Sequence, residues 1–169
     1  AIDDGPLETL EATRELPRGE VGELMVAGPI VTRQYVTRTD QNALHKVCDG
    51  TRVWHRMGDV GYLDESDRFW FCGRKSHRVQ EPTMVRYSDP VESIFNNHPQ
   101  VSRSALVGIG PVGSQQSVLI VELADSRLVS SDRQQQQLLT ELKALAEANT
   151  LTRGIVDVRI FPGLLPVDI

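Results

Sequence analysis

The first half of the chain alternates short apolar runs with glycines and polar turns. The run from Leu24 to Val26 lies between glycines and predicts a short strand. The segment TRTDQNALHKV, residues 37–47, predicts a helix capped by Thr39 or Asp40. Two strand-like runs follow, TRVWHR and VGYL, and then the turn DESD and the strand RFWFCG. We therefore expect a β-rich first half.

Aromatic side chains are concentrated in this part of the chain, between Trp54 and Phe71. An isolated two-stranded hairpin is marginally stable in water, and aromatic side chains contribute large buried areas. We expect the hairpin to be the best-buried part of the first half and to lie against a larger sheet.

The second half has longer and better-marked elements. In SDPVESIFNNHP, residues 88–99, Asp89 is the predicted N-cap, Pro90 the first helical residue and Glu92 the partner in a capping box. A second helix begins after Ser131, with Gln134 in the box position. Its apolar stripe comprises Leu138, Leu139, Leu142, Leu145 and Ala146.

The runs VSRSALVGIG, QSVLIVELA and IVDVRIFP predict three strands around these helices, and RKSHRVQ, residues 74–80, resembles a linker. The expected fold is α+β: a small β-rich part, followed by a small α+β domain with helices on a three-stranded sheet.

Composition narrows the possible functions. The 169 residues carry 18 Lys and Arg against 23 Asp and Glu, a net charge of −5, which argues against a nucleic-acid partner. The apolar fraction of 40% is enough for a core, and no apolar run approaches the roughly 20 residues that span a bilayer. Cys48 and Cys72 form no paired framework, so we expect a cytoplasmic protein with free, buried thiols.

Two patterns that suggest ligand sites are better explained structurally. GIGPVG, residues 108–113, matches the dinucleotide-binding G-x-G-x-x-G, but Pro111 interrupts it and a strand-like run follows where a helix is required. We interpret it as a turn. His45 and Cys48 are three residues apart, but two ligands are too few for a closed zinc site.

The segment MGDVGYL places Asp59 in a predicted turn between two strands. An aspartate in a turn often bonds its own backbone, and that interpretation stays open. Alternatively, Asp59 faces a cleft and accepts hydrogen bonds from a ligand diol, because its two oxygens can bind two vicinal hydroxyls. Arg74, at the end of the following strand, either reaches the same sugar or its phosphate, or is a surface cation.

Three segments together resemble the adenylate-forming superfamily of acyl-CoA synthetases, peptide-synthetase adenylation domains and luciferases. GEVGELMVAGPIVTRQYVTR resembles its G-E-L…G…G-Y segment. WHRMGDVGYLDESDRFWFCGRK resembles its T-G-D and G-Y-x-D-x-D-G-x-x-x-x-x-G-R-x-D motifs. SDPVESIFNNHPQVSRSALVGIG resembles its P-x-E-x-E helix, H-P-x-V turn and following strand. The resemblance covers nearly the whole chain.

The resemblance implies an enzyme that condenses a carboxylate with ATP, in the presence of Mg²⁺, to an acyl-adenylate and pyrophosphate. It implies that Asp59 and Arg74 contact the ribose of ATP, and that Lys75 and Ser76 form a hinge. Residues 1–73 would end the large AMP-binding domain, and residues 74–169 would be a mobile carboxyl-terminal domain. The catalytic lysine is expected beyond Ile169 and the phosphate-binding loop upstream, so we expect no catalytic residue within the chain and no activity from it alone.

Two departures from the family pattern argue against ordinary thioester formation. Ser76 stands where the family usually has Asp or Lys, and VQEPTMVRYSD lacks the glycines of the loop that leads to the CoA tunnel. The combination GPIVTRQY…WHRMGDVGYLD…FWFCGRKSHRV most resembles one branch of the superfamily, the β-lactone synthetases of bacterial olefin biosynthesis, often labelled fatty-acid–CoA ligases. Such an enzyme adenylates a long-chain β-hydroxy acid, whose own hydroxyl then displaces AMP.

Other interpretations remain. The chain could belong to a long-chain fatty-acid–CoA ligase, or be a non-catalytic binding module in which Asp59 and Arg74 diverge, or a stand-alone structural domain. The expected partners are small molecules, namely the acid and ATP, and association with other enzymes of olefin biosynthesis is possible under the branch assignment.

Overall fold

The computed structural model describes residues 1–125, 131–155 and 157–166. The chain divides into two compact units, Ala1–Ser76 and His77–Ile169. This division lies three residues after the predicted boundary at Gly73, so Arg74, Lys75 and Ser76 belong to the first unit.

A four-stranded antiparallel sheet forms the first unit. Its strands are β1 (Gly22–Ala27), β2 (Lys46–Asp49), β3 (Arg52–Leu63) and β4 (Phe69–Arg74). The long strand β3 pairs with β1 along one edge and with β2 and then β4 along the other. The two strands predicted on either side of Asp59 are therefore one continuous strand, because β1 pairs with β3 both before the expected turn, at residues 54–56, and after it, at residues 60 and 61.

The helix predicted over residues 37–47 is largely wrong. A 3₁₀ turn covers Thr39–Gln41 and a single α-helical turn, α1, covers Asn42–His45, after which the chain enters β2. Lys46 and Val47 pair with His55 and Trp54 of β3. Strand pairing, together with complete burial of Val47, overrides the helical pattern.

The aromatic rings of β4 are not the buried part of the hairpin, contrary to expectation. Phe69, Trp70 and Phe71 are 36%, 49% and 47% exposed, whereas the buried apolar residues of this unit include Val47 and Val60. The hairpin forms an edge of the sheet, and pairing alone leaves the large rings of β4 partly in solvent. Both cysteines are thiols, with Cys72 buried as expected and Cys48 exposed, contrary to expectation.

The second unit places helices on a three-stranded sheet, as predicted. Strands β5 (Val79–Gln80) and β6 (Val85–Arg86) form a short hairpin, and the sheet comprises β7 (Val101–Ile109), β8 (Gln116–Leu123) and β9 (Asp157–Ile160). The order is β7-β8-β9, antiparallel between β7 and β8 and parallel between β8 and β9. The segment predicted as a linker contains β5, because Val79 is buried in the core of this unit.

Helices α2 (Ser88–Asn96) and α3 (Asp132–Ala148) bury their apolar sides in this core. The core residues are Val79, Val91, Phe95, Val101, Leu106, Leu119, Val121, Leu138, Leu142, Ala146, Ile155 and Val158. The predicted stripe of α3 is confirmed, since Leu138, Leu142 and Ala146 are buried and Leu139 and Leu145 pack against the core.

The two predicted helix caps differ in outcome. Ser131 and Gln134 form the expected capping box at the start of α3. Asp89, however, lies inside α2, which begins one residue earlier at Ser88. The carboxylate of Glu92 accepts a hydrogen bond from the Leu106 amide of β7 at 2.9 Å instead of closing a box, and burial raises the pKa of Glu92. A tertiary contact has replaced the local one.

The segment GIGPVG is a turn, as interpreted from the sequence. Strand β7 ends at Ile109, Gly110 and Gly113 have φ values of 106° and 84°, and strand β8 follows. These φ values suit glycine, which lacks a Cβ. In the described part of the chain, no helix combines the length and apolarity needed to cross a membrane.

Candidate functional site

The distinctive feature of the first unit is a bulge of β3 at Met57, Gly58 and Asp59. Glu23 of β1 pairs with Val60 and Met25 pairs with Arg56, so three residues of β3 lie opposite a single residue of β1. Gly58 has a φ of 71°, in the left-handed region that favours glycine. Bulges are frequent next to functional sites, where they change the direction in which a side chain points.

Asp59 remains paired with β4 at this bulge, directly opposite Arg74. Arg74 Nη1 donates a hydrogen bond to Asp59 Oδ1 at 2.6 Å and lies 3.3 Å from the carbonyl oxygen of Met57. The Asp59 side chain is 20% exposed and that of Arg74 is 56% exposed. The structure thus brings together the acceptor and the donor that the sequence singled out.

A second bulge supports this geometry from the β4 side. Val60 pairs with Gly73 and Gly61 pairs with Phe71, which leaves Cys72 as the extra residue on β4. Gly73 has a φ of 122°, again a conformation that favours glycine. An adjacent carboxylate and guanidinium, both reachable from solvent, can accept from and donate to one polyhydroxylated or phosphorylated ligand.

A buried charge network lies next to Arg74 along the chain. The Arg56 guanidinium is fully enclosed and donates to Glu23 Oε2 from Nη2 at 2.7 Å and from Nε at 3.1 Å. It also donates to the carbonyl oxygens of Asp3 and Gly5. Lys75 Nζ lies 3.0 Å from each Glu23 carboxylate oxygen. The buried Glu23 carboxylate therefore has two cations around it, as burial of a charge requires.

Lys75 belongs to this network through its contacts with Glu23. Ser76 is the last residue of the first unit. The 3₁₀ turn Lys75–His77 follows β4 directly. Lys75 and Ser76 stay a predicted hinge, whereas Glu23 and Arg56 were not predicted from the sequence. The sequence does contain a signal for a buried pair: Glu23 is a charged residue in the apolar strand β1, and a charge that is buried there needs a partner.

The remaining candidates do not form a site. His45 ends α1 and Cys48 lies on the exposed part of β2, and residues 1–125, 131–155 and 157–166 contain no group of three His, Cys, Asp or Glu side chains arranged for a metal. A cavity of about 390 Å³ is lined by residues that include Gly28, Arg33 and Arg52, but neither Asp59 nor Arg74 borders it.

Curated relatives match over the whole length of this chain. It is 47% identical over 174 residues to an olefin beta-lactone synthetase of Xanthomonas campestris pv. campestris, covering 100% of this chain and 31% of that protein. It is 44% identical to the olefin beta-lactone synthetase of Stenotrophomonas maltophilia, covering 100% of this chain and 30% of that protein. The chain thus spans about a third of the length of these relatives.

The chain belongs to the adenylate-forming superfamily. A putative acyl–CoA ligase of Bacillus subtilis, 32% identical over 120 residues and covering 70% of this chain and 23% of that protein, is a further relative. The predicted resemblance to this superfamily, and to its olefin β-lactone synthetase branch, is therefore confirmed. No family model matches the chain.

Solved structures of adenylate-forming enzymes share the fold. The amide bond synthetase McbA from Marinactinospora thermotolerans aligns with a TM-score of 0.73 at 26% identity, over 95% of this chain and 31% of that one. The o-succinylbenzoate CoA synthetase of Bacillus subtilis, in complex with its acyl-adenylate intermediate, aligns with a TM-score of 0.69 at 21% identity, over 89% of this chain and 28% of that one. The predicted α+β class of this superfamily member is confirmed.

Proposed function

We propose that this chain is part of an ATP-dependent ligase that adenylates a long-chain β-hydroxy acid and converts it to a β-lactone. The observation that carries the proposal is the pairing of Asp59 with Arg74 at 2.6 Å on neighbouring strands of a superfamily member. Two relatives named olefin beta-lactone synthetase, 47% and 44% identical over the whole chain, support the choice of reaction.

In this proposal Asp59 and Arg74 bind the ribose of ATP. The Asp59 carboxylate accepts hydrogen bonds from the ribose hydroxyls, and the Arg74 guanidinium, more exposed than its partner, donates to the same sugar. The two bulges hold both groups at the end of a paired ladder, so little side-chain freedom is lost on binding. Mg²⁺ would accompany the ATP phosphates, and we assign it to no residue of this chain.

The lactone-forming step needs no second substrate. The β-hydroxyl oxygen attacks the acyl carbon, a carbon–oxygen bond forms, the bond from that carbon to the AMP oxygen breaks, and the hydroxyl proton is released. Because the attacking hydroxyl belongs to the acyl chain itself, the step is intramolecular and needs no separate nucleophile. The short β5–β6 hairpin, whose segment contains no glycine, is in keeping with a route that does not use CoA.

The deciding experiment is mass spectrometry of the products that the full-length protein makes from a long-chain β-hydroxy acid, ATP and Mg²⁺, with and without CoA. We expect the lactone and AMP in both conditions. An acyl-CoA formed only with CoA would support the alternative, a fatty-acid–CoA ligase, which the Bacillus subtilis relative favours. Failure to consume ATP would overturn the adenylation proposal itself.

The ribose assignment has its own test in the full-length enzyme. Asp59→Ala should lower kcat/KM for ATP about 10- to 100-fold, because a hydrogen bond to a charged group contributes roughly 1.5–3 kcal/mol. The matched control is Asp49→Ala, which removes an exposed aspartate at the end of β2 in the same sheet and should change kcat/KM little. Equal kcat/KM values for Asp59→Ala and the unmodified enzyme would dispose of the assignment.

The non-catalytic alternatives are less well supported. A binding module in which Asp59 and Arg74 serve separate roles requires the two side chains to diverge, whereas they share a hydrogen bond. We also propose that the partners of the whole protein are small-molecule substrates. Any association with other enzymes of olefin biosynthesis would follow from its assignment to the β-lactone synthetase branch.

A further inference from the structure

The segment that follows β9 is attached to the second unit mainly through its backbone. The Phe161 amide donates to the Val121 carbonyl oxygen at 2.8 Å, which extends the pairing of β8 with β9 by one bond. Residues 162–164 and 166 are exposed, and Leu164 is 79% exposed. Apolar burial therefore contributes little to holding this segment on the sheet.

Leu165 is nevertheless bound at both of its backbone groups. Its amide donates to Glu122 Oε2 at 2.6 Å, and its carbonyl oxygen accepts from Arg103 Nη2 at 2.8 Å. Arg103 and Glu122 are themselves cross-strand partners on β7 and β8, with 2.6 Å between Nη2 and Oε2. We call this three-residue arrangement, Arg103, Glu122 and Leu165, the Leu165 clamp.

The clamp is built into the sheet. The Glu122 side chain is only 6% exposed, and hydrogen bonds from Arg103 and from the Leu165 amide lower its pKa, so it is charged at neutral pH. The Ser102 side chain contributes a further hydrogen bond to Glu122. A buried carboxylate needs such donors, because an unsatisfied buried charge is strongly unfavourable. By contrast, the Asp157–Arg159 pair of β9, at 2.6 Å, joins two side chains of one strand with 30% and 61% exposure.

We propose that the Leu165 clamp positions the chain that continues after the sheet. By binding the amide and the carbonyl of one residue, it sets both the place and the direction in which the backbone leaves β9. This inference rests on the proposed function and on the catalytic lysine that the superfamily resemblance implies beyond Ile169. Arg103 and Glu122 are positioning residues that act through the backbone of Leu165.

The test uses the full-length protein with Glu122→Gln, Arg103→Gln and, as a matched control, Asp157→Asn. Hydrogen exchange measured by mass spectrometry on the peptide containing residues 161–166 reports attachment of the segment. Glu122→Gln and Arg103→Gln should raise its exchange rate about 10- to 100-fold, the effect of losing a charged hydrogen bond. Asp157→Asn should leave it unchanged, because Asp157 pairs with Arg159 of the same strand, β9.

The positioning role is read from pyrophosphate exchange, which isolates the adenylation half-reaction. A misplaced catalytic group lowers kcat by about 10- to 100-fold while the KM for ATP stays within about twofold. A partly unfolded variant would also show a lower kcat, because less of the protein would be active. The melting temperature of each variant shows whether it is folded at the assay temperature. Arg103 is 39% exposed, so Arg103→Gln keeps the test available if Glu122→Gln does not fold.

Each result has a definite consequence. Unchanged exchange at residues 161–166 in the folded clamp variants, or an equal rise in Asp157→Asn, overturns the clamp. Faster exchange with unchanged kcat overturns its positioning role. If the unmodified enzyme lacks pyrophosphate exchange, the proposed function and the positioning role both fail, while hydrogen exchange still decides whether the clamp holds the segment.

Discussion

Asp64 shows how one residue organises the hairpin on which the candidate site is built. Its Oδ1 accepts from the amides of Ser66 and Arg68 at 2.9 and 3.0 Å, and its Oδ2 accepts from Arg68 Nε and Trp70 Nε1, both at 2.8 Å. The bond from Trp70 is the main cause that lowers the pKa of Asp64 to about 2. This single carboxylate therefore joins the turn to β4.

The stability contributed by Asp64 should depend on pH with a definite sign. Its pKa falls from 3.8 to about 2 on folding, so the ionised form is favoured in the folded state. The contribution is fully present above about pH 4 and is lost as the pH falls through about 2. We expect Asp64→Asn to have a lower denaturant midpoint than the unmodified chain at pH 7, with the difference shrinking between pH 4 and pH 2.

The control for this measurement is Glu65→Gln, which changes an exposed carboxylate in the same turn. Its midpoint should follow that of the unmodified chain at every pH. A difference between Asp64→Asn and the unmodified chain that stays constant down to pH 2 would show that ionisation of Asp64 does not stabilise the fold.

At the scale of the element, the β3–β4 hairpin depends on close packing over Gly61. A Cβ at this position would collide with the carbonyl oxygen of Trp70 and lie 2.5 Å from Cζ of the Phe69 ring. Backbone and ring therefore occupy the volume that any side chain would need. Glycine is therefore required at position 61 because there is no space for a side chain, although the φ of Gly61 is not in the left-handed region that favours glycine.

Gly61→Ala should destabilise the chain by about 1–3 kcal/mol, the usual cost of an extra methyl group in a filled space. Denaturant unfolding followed by tryptophan fluorescence measures the change, since Trp70 lies in the hairpin. Gly163→Ala is the matched control, because a Cβ at Gly163 meets nothing within 4 Å. Equal midpoints for the two variants would show that the hairpin can move aside without cost.

At the scale of the whole molecule, the chain supplies only the ribose contacts of the proposed nucleotide site. Two or three hydrogen bonds to charged groups contribute roughly 1.5–3 kcal/mol each, about 3–9 kcal/mol in all. Association costs roughly 4–15 kcal/mol in lost freedom of motion, so these bonds leave about millimolar or weaker affinity over most of that range. We expect calorimetric titration of this chain with ATP to give a Kd of about 1 mM or weaker. The Asp59→Ala variant of the chain should bind ATP still more weakly. A micromolar Kd of the unmodified chain for ATP would contradict the expectation that the other ATP contacts come from other parts of the enzyme.

Much of the second unit could be predicted because its signals are local. The capping box of Ser131 and Gln134 spans one helical turn, and the stripe through Leu138, Leu142 and Ala146 follows the helical period. The glycines of the β7–β8 turn lie between two apolar runs, a pattern that predicts two strands joined by a turn, and the two strands pair with each other. These features depend on residues a few positions apart, which the sequence displays directly.

The amino-acid sequence by itself thus determined the α+β class, the elements of the second unit, the superfamily, and the choice of Asp59 and Arg74. The tertiary structure alone decided that Asp59 lies in a bulge directly opposite Arg74, that Lys46 enters a strand, that Glu23 is shared by Arg56 and Lys75, and that Glu122 binds Leu165. Each of these depends on which strands become neighbours and in which register. A one-residue change of register moves every side chain to the other face, and no local pattern specifies that choice for partners so far apart in the chain.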